Sequence, residues 1–193
     1  MKKDIVLGGV GGQGILTIAA TIGTAAVGSG LFLKQSEVHG MSQRGGDVMS
    51  NLRLSSNEIY SDLIPEGKAD LIIGVEPMEA LRHLNMLKPD GWLITNKKPF
   101  INIPNYPEVE SVLTVVEKLN HHVSLDADTI AKNLGSMKAA NMVMLGAAIP
   151  FIGLEFSAFE NALKVIFGKK GQSIIDLNIK ALQAGIKEAE KFL

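Results

Sequence analysis

The chain has no cysteine among its 193 residues. Without thiols it forms no disulfide, presents no thiolate nucleophile and offers no thiolate ligand for a zinc or iron–sulfur centre. If iron–sulfur chemistry takes place nearby, its thiolate ligands sit on another polypeptide, and the composition fits a reducing cytoplasm. Aromatic residues are scarce, at 5%, too few for a base-stacking platform. An excess of either charge is also missing. The 19 Lys plus Arg and 20 Asp plus Glu leave a formal charge of −1, so the basic face of a nucleic-acid-binding protein is not expected.

Charge is absent locally as well. No charged residue occurs between Asp4 and Lys34, and Ile15 to Leu33 superficially reads as a membrane span. That stretch is small rather than greasy, with Thr17, Thr21, Gly23, Thr24, Gly28, Ser29 and Gly30. Gly9 to Gly14 also interrupts any signal-peptide core. A buried strand, a helix and a second strand account for it better, with no membrane association.

What is present is an alternation of strand and helix patterns over one domain, 1–193. Ile5 to Leu7 is a short apolar run ending in glycines, as in a strand buried on both faces. A helix from Gln13 to about Val27 and a strand at Leu31-Phe32-Leu33 complete a βαβ unit with an expected right-handed crossover. Ser36 to Gly46 reads as a polar loop. Val48, Ser50, Leu52 and Leu54 alternate with Met49, Asn51 and Arg53. With a turn at Ser55-Ser56-Asn57 and a partner at Glu58-Ile59-Tyr60, they predict an appended antiparallel hairpin.

Further along, Ala69 to Val75 is a buried strand, and Met78, Leu81, Leu84 and Leu87 keep helical spacing after Pro77. Pro89-Asp90-Gly91 predicts a turn before a strand at Trp92 to Thr95. Lys97 to Pro107, with three prolines, predicts an extended loop. A helix at Glu108 to Leu119, a short strand at His122 to Leu125 and a helix capped by Asp126 follow. From Met137 onward the pattern is helical, over Asn141 to Ile149, Ser157 to Phe167 and Gln172 to Phe192. The fold class is α/β: a Rossmann-like, mainly parallel sheet with an antiparallel hairpin and a helical C-terminal third.

Two constellations could carry function. Gly9-Val10-Gly11-Gly12-Gln13-Gly14 places Gly9, Gly11 and Gly14 in a G-x-G-x-x-G pattern between a strand and a helix. Such glycines permit a tight turn, expose N–H groups to an anion and let helix and strand approach closely. They serve equally for packing or a subunit contact. Ordinary NAD binding fits poorly, because Lys34, Gln35 and Ser36 stand where a ribose-binding acid is needed, and Glu37 comes late.

The second constellation, Ser36 to Gly46, gathers Glu37, His39, Gln43, Arg44, Gly45 and Gly46. Arg44 is one of only three arginines; its planar fork suits a phosphate or carboxylate held at two points. Gly45-Gly46 allows close backbone approach. A solvated loop without a role is the plainer reading. Glu76 lies just past a buried strand and serves either the ligand edge or a helix cap. His121-His122 gives no convincing metal site, since neighbouring strand residues point to opposite faces. No catalytic residue is assigned.

Together, Gly8 to Gly14 and Glu37-Val38-His39-Gly40-Met41-Ser42-Gln43-Arg44-Gly45-Gly46 resemble the gamma-type subunit or domain of 2-oxoacid:ferredoxin oxidoreductases. The wording is closest to the small (beta) subunit of indolepyruvate ferredoxin oxidoreductase. Gly74-Val75-Glu76-Pro77, Glu79-Ala80-Leu81-Arg82, Asn141 to Gly146 and the helix from Asn178 to Ala189 extend the likeness along the chain. The resemblance implies a non-autonomous part of an enzyme that decarboxylates a 2-oxoacid, forms acyl-CoA and reduces ferredoxin. It implies that thiamine diphosphate, iron–sulfur clusters and CoA belong mainly to larger partner subunits. It places Gly9, Gly11, Gly12, Gln13 and Gly14 in an anion- or partner-binding turn. Glu37, His39, Gln43, Arg44, Gly45 and Gly46 then form an active-site wall or interface loop, and an isolated chain self-associates through surface meant for burial. A stand-alone nucleotide-binding or regulatory Rossmann-type protein is the alternative.

Overall fold

A computed structural model describes residues 1–39, 46–101 and 103–193, the side chain of His39 excepted. The described residues contain one sheet of six strands in the order β2-β3-β1-β4-β5-β6. The strands are β1 (Lys2–Val10), β2 (Phe32–His39), β3 (Asp47–Ser55), β4 (Ala69–Gly74), β5 (Leu87–Asn96) and β6 (His122–Leu125). β1, β4, β5 and β6 pair in parallel, whereas β3 runs antiparallel to both β1 and β2. The α/β class, the mainly parallel sheet and the helical C-terminal third are as the sequence predicts.

The helices are α1 (Ile15–Gly28), α2 (Pro77–Arg82), α3 (Val109–Glu117), α4 (Ala127–Asn133), α5 (Ala140–Ile152), α6 (Phe156–Phe167) and α7 (Gln172–Ala189). Helices α1, α4, α5, α6 and α7 cover one face of the sheet, over Ile5, Leu7, Leu71, Ile73 and Ile94. Helices α2 and α3 cover the other, over Val6, Ile72 and Leu93. Alternate residues of β1 and β4 thus feed different cores, which is why these strands are apolar throughout. Helix α5 carries apolar residues all round because it is enclosed, with Met142 through Ile149 buried.

The topology sets the place of the site. From β1 the chain crosses on the α1 face toward β2; from β4 it crosses on the α2 face toward β5. Adjacent strands whose connections leave in opposite directions open a crevice at their carboxyl ends. The glycine turn after β1 lies there.

Four local expectations are corrected. The antiparallel pairing exists, but β3 pairs with β2 and β1, and Glu58-Ile59-Tyr60 forms no strand. Ser36 to His39 are strand rather than loop, since β2 continues to His39. Pro89-Asp90-Gly91 lies inside β5, at an irregularity where Leu87 to Trp92 faces only Ala69 to Leu71 of β4. Finally, α2 stops at Arg82, and a 3-10 turn at Leu84–Met86 releases Leu87 into β5.

Candidate functional site

The glycine turn is closed by its own residues. Gln13 N–H donates to Val10 O at 3.1 Å, and Gln13 Oε1 accepts from Val10 N at 2.8 Å. The amide side chain thereby occupies a backbone donor that a bound anion would otherwise use. Gly14, at φ 83°, caps α1 in the left-handed region, where a Cβ costs roughly 1–2 kcal/mol. Its carbonyl accepts from Asn141 Nδ2 at 3.3 Å, which ties the turn to the start of α5. Gly9 admits Val75 so closely that an added Cβ would lie 2.3 Å from Val75 Cγ2. Gly12 is exposed and has nothing within 4 Å of an added Cβ, so its positive φ of 101° is the reason for glycine there.

The two sequence constellations meet at one bond. Gly11 N–H donates to Gly46 O at 2.9 Å. It follows from register, because Val10 of β1 stands opposite Asp47 of β3. Glu37 is exposed on edge strand β2 and accepts from Gln35 Nε2 at 2.9 Å. His39 is in register with Val48. Gln43, Arg44 and Gly45 lie outside the described residues.

A cleft of about 430 Å³ opens beside the turn, lined by Gly12, Gln13, Asn96, Asp128, Lys138 and Asn141. Asn96, at the end of β5, donates to Asp128 Oδ2 at 2.8 Å and accepts from Ala127 N at 3.1 Å. The start of α4 is thus locked to the sheet, and a carboxylate faces the turn from across the cleft. With Gln13 on Val10 N and Asp128 opposite, the site is poorly built to cradle a pyrophosphate.

Strand order weakens dinucleotide binding further. A ribose-binding acid would have to end the strand next to β1, and β3 occupies that place. Glu37 is two strands away, roughly 9–10 Å at the usual strand spacing.

On the other face, Glu76 caps α2 as one of its two expected roles required. Its carboxylate accepts from Glu79 N at 2.8 Å, from Phe100 N at 3.3 Å and from the Tyr106 hydroxyl. Burial, followed by that bond to Glu76, pushes the Tyr106 phenol up from its ordinary range. Glu76 therefore fixes Phe100 and Tyr106 at the edge that carries the glycine turn. Close by stands a cluster of Asp47, Glu79, Arg82 and His83 that sequence reasoning missed. The four-residue interval between Glu79 and His83 was visible, but Asp47 joins them only through the β1–β3 register.

As to metals, no group of three or more His, Cys, Asp or Glu side chains among the described residues could hold an ion. The chain has no thiolate to ligate an iron–sulfur cluster. No helix among the described residues is long and apolar enough to cross a membrane.

Against this geometry the comparisons with known proteins are consistent. A family described as Pyruvate ferredoxin/flavodoxin oxidoreductase matches residues 4–188. Indolepyruvate oxidoreductase subunit IorB of Pyrococcus horikoshii is 38% identical over 100% of this chain and 99% of its own length. The subunit of the same name from Archaeoglobus fulgidus is 36% identical over 98% and 96%. Among solved structures, the gamma subunit of a keto/oxoacid ferredoxin oxidoreductase from Geobacter sulfurreducens has a TM-score of 0.74. It is 23% identical and is covered over 99% of its length. The 2-oxoglutarate:ferredoxin oxidoreductase of Magnetococcus marinus, solved with 2-oxoglutarate, coenzyme A and succinyl-CoA, gives a TM-score of 0.79 at 21% identity. There the chain spans 31% of a longer polypeptide. The same fold thus occurs both as a separate subunit and as part of a larger chain. Matched by that family's model over residues 4–188 and along nearly its whole length by relatives more than 30% identical, the chain belongs to the pyruvate ferredoxin/flavodoxin oxidoreductase family.

Proposed function

We propose that this chain is the non-autonomous gamma-type subunit, a single domain over 1–193, of a cytoplasmic 2-oxoacid:ferredoxin oxidoreductase of the indolepyruvate class. The complex oxidatively decarboxylates an arylpyruvate to its acyl-CoA and passes the electrons to ferredoxin. Larger partner subunits carry thiamine diphosphate, which supplies the decarboxylation chemistry, and the iron–sulfur clusters. The lack of cysteine in this chain supports that division. The observation that carries the reading is the Gly11–Gly46 bond, which draws both constellations to one edge. Gly9 to Gly14 with Glu37 to Gly46 form an interface and a wall beside the active site. Full-length likeness to subunits named for indolepyruvate oxidoreductase supports the substrate class. The alternative, a stand-alone nucleotide-binding protein, is disfavoured by β3 lying between β1 and β2.

The test is purification from native extract, followed by assay with indolepyruvate, pyruvate and branched-chain 2-oxoacids. The expected result is recovery with a larger, cysteine-rich chain and highest activity on indolepyruvate. Ferredoxin reduction by the purified chain alone, with thiamine diphosphate and CoA supplied, overturns the assignment. Within the complex, Arg44 anchors the interface loop or meets an anionic group of CoA through two parallel hydrogen bonds. Arg44→Lys keeps the charge but loses the fork. The expected loss is about 1.5–3 kcal/mol, roughly ten- to 150-fold in activity or assembly. Subunit affinity and CoA kinetics, measured separately, distinguish the two roles. Wild-type assembly and turnover by both Arg44→Lys and Arg44→Ala would discard the loop assignment.

A further inference from the structure

Helix α2 and its cap bring Glu76, Glu79, Arg82 and His83 over the start of β3, where Asp47 stands. Glu76 and Glu79 are 1% and 5% exposed. The His83 side chain is 11% and the Asp47 side chain 46% exposed. Glu76, Glu79 and His83 are thus buried together, while Asp47 and the Arg82 side chain, itself 46% exposed, reach them from the rim of the cluster. The Tyr106 hydroxyl reaches the group through Glu76.

Their hydrogen bonds are unequal. Glu76 is satisfied by the three donors already described. Arg82 Nε donates to Glu79 Oε1 at 3.2 Å and lies 3.1 Å from Oε2 without being aligned to bond it. Glu79 Oε2 is therefore buried without a hydrogen bond, and so is His83 Nε2. The His83 ring rests on β1, where a Cβ on Gly8 would lie 2.8 Å from His83 Cδ2. Its Nε2 is 3.8 Å from Asp47 Oδ1, beyond hydrogen-bond length. Asp47 acts electrostatically on Glu79 as well as on His83. Of two neighbouring carboxylates the buried one is the harder to ionise, and here that is Glu79. A proton on His83 would instead sit beside the Arg82 cation and leave Glu79 Oε2 empty.

We infer that below neutral pH this cluster holds one proton on Glu79, not on His83, and that Glu79 donates it to Asp47, latching α2 to the start of β3 beside the glycine turn. This goes beyond the proposed subunit role and does not depend on it. The electrostatics agree with the geometry. Burial pushes Glu79 up to about 7, against Arg82 and with help from Asp47 and Glu76. Burial holds His83 below its ordinary 6.5, with Asp47 opposing and Arg82 adding.

Proton linkage gives the pair a signature. Between about pH 4.5 and 6.5 the unfolded chain carries this proton on His83. In the folded chain Glu79 is raised and His83 lowered, so the two linkages have opposite signs and offset one another. Each substitution exposes one half. Glu79→Gln leaves the lowered His83, so stability is lost as pH falls below 6.5. His83→Gln leaves the raised Glu79, so stability is lost as pH rises from 4.5 toward 7.

The test is a titration of the full chain by NMR, with carboxyl-labelled glutamate and ring-labelled histidine, from pH 4 to 9 (roughly the span of both ordinary pKa values). Glu79→Gln and His83→Gln assign the signals. A Glu79 midpoint above that of His83 is expected, and the reverse order overturns the inference. Asp47→Ala should lower the Glu79 midpoint by about one unit; an unchanged midpoint excludes the latch. Through-bond correlation to the backbone assigns the same two signals in the wild type, so their order is read even where a variant fails to fold. The chain alone is used, so failure here is separate from failure of the subunit assignment.

Discussion

Replacing Arg53 with alanine is expected to lower the unfolding free energy by about 3–5 kcal/mol, the usual cost of leaving one member of a buried ion pair alone. Asp4 of β1 is 1% exposed and stands directly opposite Arg53 of β3 in the antiparallel register. The guanidinium binds it at two points, Nε to Oδ1 at 2.8 Å and Nη2 to Oδ2 at 3.3 Å. Its remaining nitrogen, Nη1, donates to Ser61 O at 3.2 Å and Leu63 O at 2.9 Å. One side chain thus holds two strands and the segment that leads from β3 toward β4. Lys2 Nζ is 3.2 Å from Asp4 Oδ2, but its side chain is 65% exposed and offsets little of the loss. Urea unfolding measures the effect directly. The double variant Asp4→Asn, Arg53→Met should recover part of it, because the stranded charge is gone. A loss under about 1 kcal/mol for Arg53→Ala, the range of an exposed pair, would show that Asp4 is not effectively buried.

The strands that this bond joins also show where the sequence was readable and where it was not. Apolar runs at Ile5 to Leu7 and Ala69 to Val75 announce buried strands, because both faces of β1 and β4 meet a core. The alternation from Val48 to Leu54 likewise announces a strand. Its neighbours are another matter. Turn residues at Ser55-Ser56-Asn57 point to a hairpin with Glu58-Ile59-Tyr60. Yet β3 has only two edges, and β1 and β2 use both. Those turn residues close the end of β3 instead: Asn57 N donates to Ser55 Oγ at 2.9 Å, and Ser56 N reaches the chain ahead of β1, donating to Met1 O at 2.9 Å.

Pro89 and Gly91 mislead in a similar way. Both are strong turn signals, but at a register irregularity in a strand they are tolerated. The glycine turn itself was legible because its chemistry is contiguous in sequence. The Gly11–Gly46 bond and the Asp47–Glu79–His83 cluster were not. Each needs a pairing between residues about 35 positions apart in sequence, set by hydrophobic register rather than by a local motif.

Alanine at Gly146 or Gly185 is expected to destabilise the chain by about 3 kcal/mol or more, at or above the top of the usual range for an overpacked core. Here α5 and α7 touch backbone to backbone. A Cβ on Gly146 would lie 2.2 Å from Leu182 O, and one on Gly185 2.1 Å from Val143 O and 2.6 Å from Ala147 N. Nothing at these points is the end of a flexible side chain, so the helices themselves must separate. Alanine recovers about 1 kcal/mol of helix propensity at each site, and the clash exceeds it. For a chain of this size the net effect is a fall in Tm of roughly 6–12 °C. Gly28→Ala, where nothing lies within 4 Å of the added Cβ, is the control and should be neutral or slightly stabilising. The double variant should cost well under the sum, since one methyl already opens the gap that the second needs. The consequence reaches the site, because α5 brings Asn141 to the carbonyl of Gly14 at 3.3 Å. A displaced α5 withdraws that bond from the glycine turn. Variants at Gly146 and Gly185 as stable as the wild type would mean that α5 and α7 do not approach this closely.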